Sequence, residues 1–66
     1  MPYATIDDLP ASVLAHLPIH AQEIYRASFN AAYSEDPARE DTAHRVAWAA
    51  VKKRYRKEGP LWVERD

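Results

Sequence analysis

Residues 18–57 read PIHAQEIYRASFNAAYSEDPAREDTAHRVAWAAVKKRYRK, and the placing of prolines and apolar residues in this stretch decides the fold. Pro18 follows Leu17. A residue before proline is pushed out of the helical region, whereas proline itself suits a first helical position. A helix is therefore expected from about Pro18 to Ser34. At roughly 100° per residue, Ala21, Ile24, Tyr25, Ser28, Phe29, Ala32 and Tyr33 fall on one side, and His20, Glu23, Arg26 and Asn30 on the other. Asp36-Pro37 repeats the start signal, with a capping oxygen ahead of proline. Glu40 and Asp41 then sit near the positive end of the helix dipole, where acid is favourable.

The second pattern runs to about Lys57, where Gly59 offers a left-handed cap and Pro60 forbids continuation. Its apolar arc holds Ala43, His44, Ala47, Trp48, Ala50, Val51 and Tyr55. At about 20 residues, this helix spans roughly 30 Å. Only Glu35-Asp36 separates the two helices, so they are expected to lie antiparallel as an αα-hairpin. Alanines 21, 31 and 32 facing 43, 47 and 50 allow close approach.

Outward from this hairpin, Leu9-Pro10 starts a short helix over Pro10–His16, ended by Leu17-Pro18. Tyr3–Ile6 and Leu61–Glu64 have strand character and are expected to pair. Such a ribbon is marginal without helices behind it. The fold class is therefore mainly α: one compact domain over residues 1–66, with a short helix, two long antiparallel helices and a small two-stranded sheet from the termini.

Composition bounds the function. The chain has 66 residues and no cysteine, so neither disulfides nor thiolates staple it. No stretch approaches the roughly 18 apolar residues of a membrane span. The first eight residues lack the basic and apolar regions of a secretory signal. The expectation is a soluble cytoplasmic protein. The net charge of −1 hides an asymmetry. Residues 1–50 carry three basic and seven acidic residues, and residues 51–66 six basic and three acidic. Such a chain can present a basic patch without being a basic protein.

Asp8-Leu9-Pro10, Val13, Leu17-Pro18, His20-Ala21-Gln22, Ile24-Tyr25, Phe29-Asn30 and Ala32 resemble the first half of the ChaB family pattern. Ala38-Arg39-Glu40, Thr42-Ala43-His44, Val46 to Lys52, Tyr55 and Trp62 resemble its second half. Met1-Pro2-Tyr3 is similar too. The resemblance covers roughly residues 1–63. Many relatives carry a longer charged segment between the long helices than this chain has. The resemblance implies a three-helix fold with a small sheet, likened to a cyclin box. It also implies regulation of a cation–proton antiporter, making a protein partner at the cytoplasmic face of that antiporter the primary expectation. Relatives also occur beside nucleic-acid-binding segments, so nucleic-acid binding is the rival.

The chain's own mechanistic feature is the basic end of the third helix. Arg45, Lys52, Lys53, Arg56 and Lys57 occupy one arc of about 140° on a continuous helix. Arg54 falls on the apolar side, its stem covered and its head reaching water. This stripe can contact an acidic protein surface, an anionic membrane or phosphates. The competing reading is compensation of the helix dipole, worth about 0.3–1 kcal/mol per residue. Trp62 and Tyr3, near the termini, are candidates for aromatic contact with a partner, against packing onto their own apolar neighbours.

His16 and His20 have i, i+4 spacing, but Leu17-Pro18 interrupts a shared helix, so no metal site is expected. His20 and His44 are read instead as hydrogen-bonding groups at the helix seam. Glu40 and His44 lie one turn apart, which more simply reads as a helix-surface pair than as catalytic machinery. Neither an enzyme nor a cofactor is expected. The remaining aromatics, Tyr25, Phe29, Tyr33, Trp48 and Tyr55, are read as core.

Overall fold

The computed structural model describes residues 3–65. After a 3-10 turn at Ile6–Asp8, helix α1 spans Ala11–His16, α2 spans Ile19–Glu35 and α3 spans Glu40–Arg54. Strands β1, Tyr55–Glu58, and β2, Leu61–Glu64, follow as an antiparallel hairpin. Both leucine–proline pairs mark helix starts as expected, but each proline is the extended cap and not the first helical residue. Pro10 and Pro18 are extended residues immediately before α1 and α2, and their carbonyls accept the first helical bonds, from Leu14 and Gln22.

The seam between α2 and α3 is the core of the molecule. Ala21, Tyr25 and Phe29 from α2 meet Ala43, Ala47 and Val51 from α3, each at most 1% exposed. Alanine at 21, 43 and 47 brings the helix backbones close. Ala31, expected at this seam, is exposed, and Ala32 and Ala50 are half-buried. Leu9, Val13 and Leu17 close one side of the core from α1 and its flanks. Gln22 is the buried polar residue here. Its amide donates to the Leu17 carbonyl at 2.8 Å and the Leu14 carbonyl at 3.3 Å, locking the α1–α2 corner. A buried amide without such partners would be costly.

Three expectations are corrected. First, Asp36-Pro37 does not open α3 directly. The Arg39 N–H bonds the Asp36 carbonyl at 3.0 Å, so Pro37 occupies the second position of a turn, where proline is favoured, and the helix starts at Glu40. Second, α3 stops at Arg54 rather than Lys57, because Tyr55 turns extended and the chain pairs onward as a strand. Gly59, with φ of 61°, is therefore the first central residue of a two-residue hairpin loop, not a helix cap. Third, the sheet is not built from both termini. Tyr3–Ile6 makes no strand; β2 pairs with β1. The N-terminal segment is held on α2 by side chains instead. Asn30 accepts from the Tyr3 N–H at 2.8 Å and donates to its carbonyl at 2.9 Å. Arg26 reaches the Tyr3 and Ala4 carbonyls, and the Tyr3 ring lies 4.7 Å from Phe29. Asn30 and Arg26, read from periodicity as a solvated face, are thus a clamp for the N-terminal backbone.

Candidate interaction surface

The exposed cations gather where α3 becomes β1. Lys52, Lys53 and Arg54 form the last helical turn, all exposed, where positive charge suits the dipole. Arg54 was expected on the apolar side, but the helix ends there and its side chain faces solvent. Arg65 completes this end from the far strand. Its backbone N–H bonds the Arg54 carbonyl at 2.8 Å, and its Nε donates to the Lys52 carbonyl at 2.8 Å and the Tyr55 carbonyl at 3.2 Å. A side chain that returns to helix carbonyls satisfies acceptors the helix end leaves open. Arg65 was not singled out from the sequence, because its place beside Arg54 follows only from the hairpin register.

The continuous stripe of five cations does not form. Arg45 and Lys52, seven residues apart, share a face of α3, with Lys53 next to it. Arg56 and Lys57 lie on β1, where successive side chains point to opposite faces. Lys57 shares a face with Tyr55, Trp62 and Glu64, and Arg56 with Glu58, Leu61 and Val63. Arg56 is also engaged, with its guanidinium 2.7 Å from the Glu58 carboxylate. All five remain exposed.

Both terminal aromatics are packed. Trp62 is half-buried with its ring 5.8 Å from Trp48, and Tyr3 is half-buried against Phe29. Leu61, by contrast, is 64% exposed beside the hairpin turn.

The histidines divide. His44 meets the seam expectation: its Nδ1 is hydrogen-bonded to the Tyr25 hydroxyl, its ring lies 4.6 Å from Phe29, and its Nε2 is 3.8 Å from the Glu40 carboxylate. Burial pushes the Tyr25 phenol up to about 12, with Tyr3 adding to the shift, so at neutral pH it is an uncharged hydrogen-bonding group. Burial likewise raises Tyr3, helped by Glu40. Burial raises Tyr55, helped by Glu64 and opposed by Arg54. His20 is not at the seam. It is exposed, 3.9 Å from Glu23 and 6.3 Å from the Tyr55 ring. The His16 Nδ1 is 2.7 Å from the Ser12 carbonyl, a bond within α1. Among the described residues, no three His, Cys, Asp or Glu side chains converge as metal ligands, and no helix is long and apolar enough to cross a membrane.

The chain and its fold resemble known proteins. The ChaB family model matches residues 9–65. The chain is 52% identical to the Escherichia coli K12 protein described as "Putative cation transport regulator ChaB", over 86% of this chain and 87% of that one. A protein of the same description from Shigella flexneri matches to the same extent. The fold matches the "NMR solution structure of the putative cation transport regulator ChaB" with a TM-score of 0.84 and 44% identity, covering 98% of this chain and all of the other. The leucine–proline starts, the helical seam and the C-terminal hairpin thus lie within one shared pattern and one shared fold, and the chain belongs to the ChaB family.

Proposed function

We propose that this protein is a non-enzymatic regulator of cation transport that works from the cytoplasmic side, by direct contact with a cation–proton antiporter. The observation that carries this reading is the 52% identity, across 86% of the chain, to a relative described as a cation transport regulator. The contact surface is the basic end of the molecule, Lys52 and Lys53 on α3 with Arg56 and Lys57 on β1, extended along the same face of α3 by Arg45. Exposed cations of this kind steer an acidic partner and fix its register more than they add affinity. Their arrangement also favours a protein over a nucleic acid. Tracking a phosphate backbone calls for a run of cations along one face. Here Arg56 and Lys57 point to opposite faces and Arg56 is engaged by Glu58.

The test is binding to a purified cation–proton antiporter in detergent, comparing the native chain with Lys52→Glu/Lys53→Glu. Binding that falls by about tenfold or more in the variant, and weakens with salt, supports the reading. No binding by the native chain, together with salt-sensitive binding to a DNA duplex, would transfer the same residues to the nucleic-acid reading.

A further inference from the structure

Among the described residues, Leu61 and Ile19 are the most exposed large apolar side chains, at 64% and 62%. A single exposed leucine is ordinary; the setting of Leu61 is not. It follows the Gly59-Pro60 turn, so it stands beside the turn of the β1–β2 hairpin. On the same face of that hairpin are Arg56, Glu58 and the half-buried Val63. The carboxylate beside the turn, Glu58, is neutralised by Arg56 at 2.7 Å. Lys57 lies on the other face, and Lys52, Lys53 and Arg54 lie in the helical turn that runs directly into β1. The hairpin therefore carries an exposed apolar side chain beside its turn and cations at its base.

Charge elsewhere gives this end a direction. Glu35, Asp36, Glu40 and Asp41 cluster at the α2–α3 turn, at the opposite end of α3. Fifteen helical residues separate the ends, about 22 Å at 1.5 Å per residue. A negative surface would attract the α3–β1 end and repel the α2–α3 turn.

We infer that Leu61 beside the turn, with Lys57 on the other face and Lys52 and Lys53 at the hairpin base, docks on an anionic lipid surface. An exposed apolar side chain among cations needs no complementary pocket in a lipid interface, where that side chain enters the acyl boundary and the cations meet headgroups. A nucleic acid has no comparable place for the leucine. This docking goes beyond the antiporter contact and does not depend on it.

The probe is a vesicle. The native chain is sedimented with vesicles of phosphatidylcholine alone and of phosphatidylcholine mixed with phosphatidylserine. Binding to the anionic vesicles only is expected at about 50 mM salt, with release by about 300 mM. Leu61→Ser should lower partitioning by about fivefold, and Lys52→Glu/Lys53→Glu by about tenfold or more. Absence of binding at low salt overturns the proposal, as does equal binding to neutral vesicles. An unchanged Leu61→Ser partition also overturns it, since a purely electrostatic patch fits an acidic protein or a nucleic acid as well. Leu61 is 64% exposed and outside the core, so its serine variant keeps the fold, and the native-chain lipid comparison decides the electrostatic part even if Lys52→Glu/Lys53→Glu does not fold. Antiporter binding in detergent involves no bilayer, so the two proposals fail separately.

Discussion

The molecule contains two antiparallel hairpins, one of helices and one of strands, and they divide its work. The α2–α3 hairpin buries Tyr25, Phe29, Ala43, Ala47 and Val51 almost completely. In the β-hairpin only Tyr55 is buried, Trp62 and Val63 are half-covered, and the remaining side chains face water. A two-stranded ribbon is marginal by itself. Here it is held by its direct junction with α3, by Trp62 on Trp48, and by Arg65 returning to the helix carbonyls. The helical hairpin carries stability and buries its chemistry. The strand hairpin contributes less to stability and leaves cations and a leucine available for contact.

The largest expected effect tests whether the seam dominates. Phe29→Ala removes a fully buried ring that also supports Tyr3, Tyr33 and His44. The expected cost is about 3–5 kcal/mol, comparable to the whole stability of a small domain. Loss of most helical circular dichroism at room temperature is the outcome; a folded variant with a modest shift in midpoint would break the comparison.

Gly59→Ala probes the other hairpin. Its φ of 61° is strained for any side chain, although nothing lies within 4 Å of the added methyl. The cost is backbone strain alone, about 1–2 kcal/mol. It should appear as faster amide exchange confined to β1 and β2. Equal acceleration throughout α2 and α3 would mean that the two hairpins open as one unit.

The smallest effect sharpens the seam. Tyr25→Phe removes the hydroxyl hydrogen-bonded to His44, at a cost of about 1 kcal/mol near neutral pH. The variant also changes the alkaline limb. Burial raises the Tyr25 phenol from 10.0 to about 12, so its neutral form is favoured in the fold. That contribution is complete below the unfolded value and is lost as pH rises through the folded one. Tyr3 and Tyr55 are raised too and act in the same direction. Denaturant midpoints from about pH 8 to about pH 11 should fall for the native chain and fall less for Tyr25→Phe. Parallel curves would remove Tyr25 from the account.

How much of this was legible follows from the range of the interactions. Helix starts are local. Leu9-Pro10 and Leu17-Pro18 mark α1 and α2 because proline constrains its neighbour wherever it stands. The apolar periodicity likewise locates the seam, including Tyr25, Phe29, Ala43 and Ala47. The end of α3 is not local. Lys52 to Lys57 is acceptable helix by propensity, and it becomes strand at Tyr55 because β2 offers pairing and Tyr55 itself is buried against the helices. That change moved Arg56 and Lys57 off the helical stripe and left Leu61 exposed beside the hairpin turn. Arg26, Asn30 and Gln22 were likewise beyond sequence reading, since a polar side chain shows its type but not the backbone it will grip.

The sequence by itself determined three helices, an antiparallel helical seam, the family and a charge-divided chain, because each rests on neighbour constraints, on periodicity or on ordered residue pattern. Only the tertiary structure decided which strand β2 pairs with, how the N-terminal segment is held, and which cations share a face. Those outcomes depend on hydrogen bonds between residues far apart in the chain, such as Asn30 to Tyr3 and Arg65 to Lys52, and no local rule encodes them.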